Sequence, residues 1–133
     1  MTNVEFAFTV VDLPLNFDNV RNMEIKPAVD AFSALGHETR LAAFRLLVEV
    51  GPSGLPAGEI AERLGVVAST LSFHLAQLER AQLLRSWRVQ RQIFYGLDIE
   101  GTRQLIGFLV ADCCGGNPSL CGDLATVAEK ACC

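Results

Sequence analysis

From Pro27 onward, apolar residues recur at helical spacing. Ala28 to Leu35 reads as a short helix stopped by Gly36, with Pro27 at its start, where the N–H it lacks would have had no partner. Leu41, Phe44, Leu47 and Val48 mark the inner face of a second helix, from about Glu38 to Val50. Glu38 suits the positive end of that helix, and Gly51-Pro52-Ser53-Gly54 ends it. A third helix, Gly58 to Leu64, turns Ile60, Ala61 and Leu64 inward, and Gly65 after it tolerates positive φ. A fourth covers about Ala68 to Ala81. At about 100° per residue, Leu71, Leu75 and Leu78 form its buried stripe. Ser69, Phe73, Gln77 and Arg80 line the opposite side, with Thr70 and Ser72 flanking the first turn. Leu83-Leu84 then lead into Arg85-Ser86-Trp87-Arg88, and Ile93-Phe94-Tyr95 follows Val89-Gln90-Arg91-Gln92, a β-hairpin with a cationic tip. Thr102 to Asp112 is helical again, with Leu105, Phe108, Leu109 and Asp112 at i, i+3, i+4 and i+7, and Cys113 and Cys114 as its last turn. Ahead of all this, Val4, Phe6, Phe8 and Val10 alternate with Glu5, Ala7 and Thr9, a weak strand signal. Residues 1–26 read as an arm packed on the body or on a second subunit, or equally as a partly ordered tail.

The expected fold is mainly α with a small β-hairpin wing, a winged helix-turn-helix over residues 27–112. A cysteine-containing tail, 113–133, follows it. A solvated polar face alone would explain the outer side of the fourth helix. The carboxylate-free hairpin tip changes that balance. Small hydrogen-bonding side chains at the start of a recognition helix approach base edges in the major groove. Ser69, Thr70, Ser72, Phe73, Gln77 and Arg80 are therefore candidate DNA contacts, with Phe73 suited to a thymine methyl and Gln77 to adenine or a phosphate. Arg88, Gln90 and Arg91 at the hairpin tip are candidates for the phosphate backbone. His74, on the flank of the leucine stripe, is either structural or phosphate-facing. His37 has no partners at ligand spacing, and two histidines far apart argue against a histidine-rich zinc site.

Composition sharpens this picture. The 133 residues suffice for one core, and half of them are hydrophobic, which argues against disorder. The net charge of −4 looks wrong for a nucleic-acid binder. Its distribution does not: from Arg63 to Leu97 there are five arginines and one acid, Glu79. An acidic body with a cationic edge can still be steered to DNA. No cationic residue precedes Arg21, and no apolar run reaches the ~18 residues of a membrane span, so a soluble cytoplasmic protein without a membrane partner is expected.

The five cysteines are Cys113, Cys114, Cys121, Cys132 and Cys133. An odd number, with two adjacent pairs, does not suit a secreted disulfide framework. Cys113 and Cys114 precede Gly115-Gly116-Asn117-Pro118, and Cys121 follows, so three thiols can converge on one soft ion. Adjacent helical side chains diverge by about 100°, so joint ligation requires the helix end to unwind. Gly115-Gly116 lowers the cost of that. Three sulfurs without a fourth ligand suit As(III) or Sb(III), whose lone pair fills the remaining position. Cys132 and Cys133 are accessory candidates, and with them zinc, cadmium or lead becomes the alternative. Incidental cysteines in a frayed tail are the plain reading, which two adjacent pairs in an otherwise cysteine-free chain disfavour.

Several motifs together resemble the ArsR/SmtB family of metal-responsive repressors. They are Leu35-Gly36-His37-Glu38-Thr39-Arg40-Leu41, Glu59-Ile60-Ala61-Glu62-Arg63-Leu64-Gly65, Ser69-Thr70-Leu71-Ser72-Phe73-His74-Leu75 and Gln92-Ile93-Phe94-Tyr95. The resemblance covers about residues 28–112. It implies a homodimer joined through its first and last helices, with DNA bound in the apo state and released on metal binding. Many arsenic-sensing members carry Cys-x-Cys before the recognition helix; here Leu55-Pro56-Ala57-Gly58-Glu59 holds no thiol. The last-helix zinc site is missing too, since Arg103 to Asp112 contains no histidine. Sensing then falls to the cysteines after the final helix, as in one branch of the family. The expected function is a homodimeric repressor with As(III) or Sb(III) as effector, binding double-stranded operator DNA. A repressor responding to other soft metals or to thiol oxidation is the alternative. An enzyme is disfavoured: no arginine follows the cysteines to hold an oxyanion, and no Ser-His-carboxylate constellation appears.

Overall fold

The computed structural model describes residues 23–114, with side chains through residue 109. Five helices and three strands follow in order: α1 (Ile25–Leu35), α2 (Glu38–Val50), β1 (Leu55–Pro56), α3 (Ala57–Leu64), α4 (Ala68–Arg80), β2 (Leu84–Val89), β3 (Gln92–Leu97) and α5 (Ile99–Cys114). This is the expected winged helix-turn-helix, mainly α with a small sheet. Ile25–Arg103 make one compact unit, and α5 beyond Arg103 is counted with a second. The arm before Met23 and Cys121, Cys132 and Cys133 lie outside the described residues.

Alanines set the packing of the first two helices. α1 buries Ala28, Ala31 and Ala34 against α2 and α4, while Ile25, Val29 and Phe32 stay exposed at i, i+4 and i+7. α1 also begins earlier than its sequence suggested. Pro27 is its third residue, still within the turn whose N–H groups have no helical partner. α2 matches its expected bounds but only part of its expected face. Ala43 and Leu47 are fully buried, whereas Leu41 and Val48 are 44% and 49% exposed. Small side chains let helix axes approach, and Ala43 joins Leu47 on the buried line where Leu41 and Val48 do not.

The helix-turn-helix rests on α3 and α4. Ile60, Ala61, Leu71, Leu75 and Leu78 form its core, as the periodicity indicated. Gly65 takes φ 66°, and the N–H groups of Gly65 and Val66 return to the carbonyls of Glu62 and Ala61, a Schellman turn. α4 ends the same way: Gln82 and Leu83 donate to Glu79 and Leu78, with Gln82 at φ 64°. A glycine would hold that position without strain.

The sheet has the order β1-β3-β2, all antiparallel. Its hairpin closes at Val89 opposite Gln92, leaving Gln90 and Arg91 as a two-residue tip. Leu55 and Pro56 add a short edge strand beside Tyr95 and Phe94, a place where proline is tolerated. Trp87 stacks on Phe94 with ring centroids 5.9 Å apart, and Gly54 and Gly96 leave room for its indole.

Candidate nucleic-acid interface and the cysteine helix

α4 separates its two faces cleanly. Leu71, Leu75 and Leu78 are buried, while Ser69, Thr70, Ser72, Phe73 and Arg80 are exposed. Gln77 is half-buried. With Arg80 it borders an open cleft of about 470 Å³ shared with Asp30, Ser33 and Ala34 of α1 and Arg40 of α2. The expected reading residues thus divide between an exposed N-terminal half of α4 and two C-terminal residues on the cleft.

His74 does not belong with them. It is 8% exposed, so the expectation of a DNA contact there is corrected: the ring turns into the body. Arg40 Nη1 lies 3.2 Å from His74 Nδ1. A guanidinium only donates, so Nδ1 must accept and the ring proton sits on Nε2. The ring of His37 lies against it, tilted by 36°, with centroids 4.5 Å apart. These histidines are distant in sequence, and no local spacing could have paired them. His37 also caps α2, its Nδ1 accepting from the Thr39 N–H at 3.1 Å. Arg40 completes the junction by donating to the carbonyls of Ala34 and Ser33 at the end of α1.

Burial first, then His37 and Arg40, hold His74 below the usual histidine pKa. The folded state therefore favours the neutral ring. The stability this contributes is fully present above the unfolded value of about 6.5, and it is lost as pH falls through the lower folded value.

The hairpin presents its cations as expected. Arg88, Gln90 and Arg91 are exposed, and neither Arg88 nor Arg91 makes an ion pair among the described residues. Gln90 adopts φ 58°, a conformation that favours glycine in such turns. Two other arginines of the basic stretch are engaged elsewhere. Arg63 pairs with Glu59 along α3, and Arg85 covers the Trp87 ring at 4.6 Å. Glu79, the one acid there, accepts from Ser86 Oγ at 2.8 Å, which ties α4 to β2.

The start of α5 is fastened to the end of α4. Asp98 N–H donates to the Leu83 carbonyl, and Asp98 Oδ1 accepts from Gly101 N–H, each at 2.9 Å. Gly101 lies so close to the Gln82 carbonyl that a Cβ there would fall 1.8 Å from the oxygen. From this clamp the helix runs to Cys114, so Cys113 and Cys114 occupy its last turn. The third proposed ligand, Cys121, and the accessory Cys132 and Cys133 cannot be placed against them within the described residues. No described helix is long and apolar enough to cross a membrane.

Residues 35–86 match a family model described as a helix-turn-helix domain. The HTH-type transcriptional regulator KmtR of Mycobacterium tuberculosis is 36% identical over 78 residues, covering 59% of this chain and 58% of KmtR. The chain thus matches less than two thirds of that relative's length. The transcriptional activator HlyU of Vibrio cholerae is 30% identical over 104 residues, covering 78% of this chain and 93% of HlyU. The structure of reduced HlyU superposes with a TM-score of 0.53 at 29% identity, over 66% of this chain and 88% of that one. A structure described as a possible transcriptional regulator for arsenical resistance has a TM-score of 0.55 at 26% identity, over 62% of this chain and 82% of that one.

Proposed function

The chain belongs to the ArsR/SmtB family of winged-helix transcriptional regulators, a DNA-binding rather than an enzymatic class, and on that premise we propose a metalloid-released repressor. It binds operator DNA as a homodimer and lets go when Cys113, Cys114 and Cys121 take up As(III) or Sb(III). The observation that carries this reading is the position of Cys113 and Cys114 in the last turn of α5, whose first turn is clamped to the end of α4. A ligand that deforms α5 acts on the helix fastened to the DNA reader.

The chemistry suits the setting. Arsenous acid is neutral, and each As–O bond exchanges for As–S as the thiol proton leaves with hydroxide as water. Three exchanges give a trithiolate with no change of oxidation state. The negative end of a helix disfavours thiolate, and a neutral reactant that exchanges with thiol is compatible with such a setting. The structural neighbour described as a possible regulator for arsenical resistance is in keeping with such an effector. Support for a homodimer comes from apolar faces that α1 and α5 each leave in water: Ile25, Val29 and Phe32 on the first, Ile106 and Leu109 on the second.

Gel shifts with arsenite under reductant test the reading. Wild type should release DNA, and Cys113→Ser, Cys114→Ser and Cys121→Ser should each stay bound. Release by arsenite that survives the triple change refutes the site. Release by peroxide without metalloid, lost in Cys114→Ser and Cys121→Ser, would replace it with a thiol-oxidation switch.

A further inference from the structure

Val67 and Phe73 are 69% and 60% exposed, the highest values among the large hydrophobic side chains of the described residues. Both belong to the reader. Val67 is the N-cap of α4, and Phe73 lies on its outer face. Serine, threonine, aspartate or asparagine normally holds an N-cap, because a side-chain oxygen there accepts a free N–H of the first turn. Val67 has no such oxygen and forms no side-chain cap bond. This choice weakens the helix start and leaves a branched apolar group in water, which helix stability alone does not explain.

The neighbouring residues narrow what it serves. Ala68, Ser69, Thr70, Ser72 and Phe73 are all exposed, so the start of the reader offers methyls, hydroxyls and one ring. It holds no arginine, lysine, asparagine or glutamine for a bidentate contact to guanine or adenine. The apolar feature of the major groove is the C5 methyl of thymine. We infer that Val67 and Phe73 are specificity-determining residues that read thymine methyls at two positions under each bound reader. Ser69, Thr70 and Ser72 then supply hydrogen bonds to bases and phosphates around them. This inference rests on α4 being the DNA reader.

The test begins with a duplex selected from a random library by the full chain. Each thymine is then replaced in turn by deoxyuridine, which removes only the methyl and keeps every hydrogen-bonding group. At two thymines per reader, affinity should fall about fourfold, the effect of one methyl-sized group returned to water. Val67→Ser and Phe73→Ala should each abolish the thymine–uracil difference at one of those positions. Val67→Ser also restores a capping oxygen, so its melting temperature should rise while discrimination is lost, a split that mere damage to the helix would not give. Uridine that is silent at every position overturns the inference and leaves the reader intact. A chain that selects no sequence at all overturns the reader, and the inference falls with it.

Discussion

Replacing Gly101 by alanine tests whether α5 is held against the end of α4. The new Cβ would lie 1.8 Å from the Gln82 oxygen, over an ångström inside the 3.0 Å below which such contacts are essentially never found. The obstacle is a backbone carbonyl, and the N–H groups of Gln82 and Leu83 anchor its turn to α4, so it cannot swing aside. Opening the contact strains a packed junction by about 1–3 kcal/mol. It also threatens the Asp98–Leu83 hydrogen bond, whose net value is about 1 kcal/mol. Alanine's helix preference returns about 1 kcal/mol. The net expectation for Gly101→Ala is a loss of about 2 kcal/mol. Gly58→Ala is the control, because a Cβ added there would meet nothing within 4 Å and α3 has ordinary helical geometry at that position. That change should stabilise by about 0.5–1 kcal/mol. Urea unfolding followed by circular dichroism measures both. Equal signs for the two substitutions, or a Gly101→Ala protein as stable as wild type, would refute the clamp.

Much of this fold was legible because it follows from periodicity. Leu71, Leu75 and Leu78 announced the buried stripe of α4, and Glu38 with Gly51 bounded α2. The misses in helix packing have one physical cause, in that hydrophobic patterning weighs bulk. Ala28, Ala31, Ala34 and Ala43 are buried although small, while bulkier Leu41 and Val48 face outward. A two-residue strand such as Leu55–Pro56 is too short to alternate, so only its partners in β3 reveal it. The junction of His37, Arg40 and His74 depends on tertiary packing and has no local signature. Its one trace in the sequence is the place of His74 on the flank of the leucine stripe, where a structural role competes with a phosphate contact. Gln82 and Gln90 adopt positive φ without a glycine to mark it; the hairpin at Gln90 was read from the segments on either side, whereas the turn at Gln82 had no mark in residue type. The wing cations, by contrast, were readable because exposure is what a charge run already implies.

Two further predictions address the interface and the junction beneath it. If Arg88 and Arg91 each neutralise one phosphate, replacing either by alanine should lower the slope of log K against log salt by about 0.9, measured by fluorescence anisotropy. An unchanged slope in the double variant would place the wing off the DNA. For His74, the folded state prefers the neutral ring, so wild-type stability should decline as pH falls below about 6.5. His74→Gln keeps an oxygen to accept from Arg40 but cannot titrate, and should remove that share of the decline. The quantity to measure is the wild-type minus variant stability by urea unfolding, across about pH 5–8, the range in which histidine titrates. Its sign is fixed: the unfolded chain binds the extra proton, so acid must favour unfolding of wild type over the variant. A difference that is flat, or that grows in favour of wild type as pH falls, would mean that burial of His74 beside His37 and Arg40 does not hold the ring neutral.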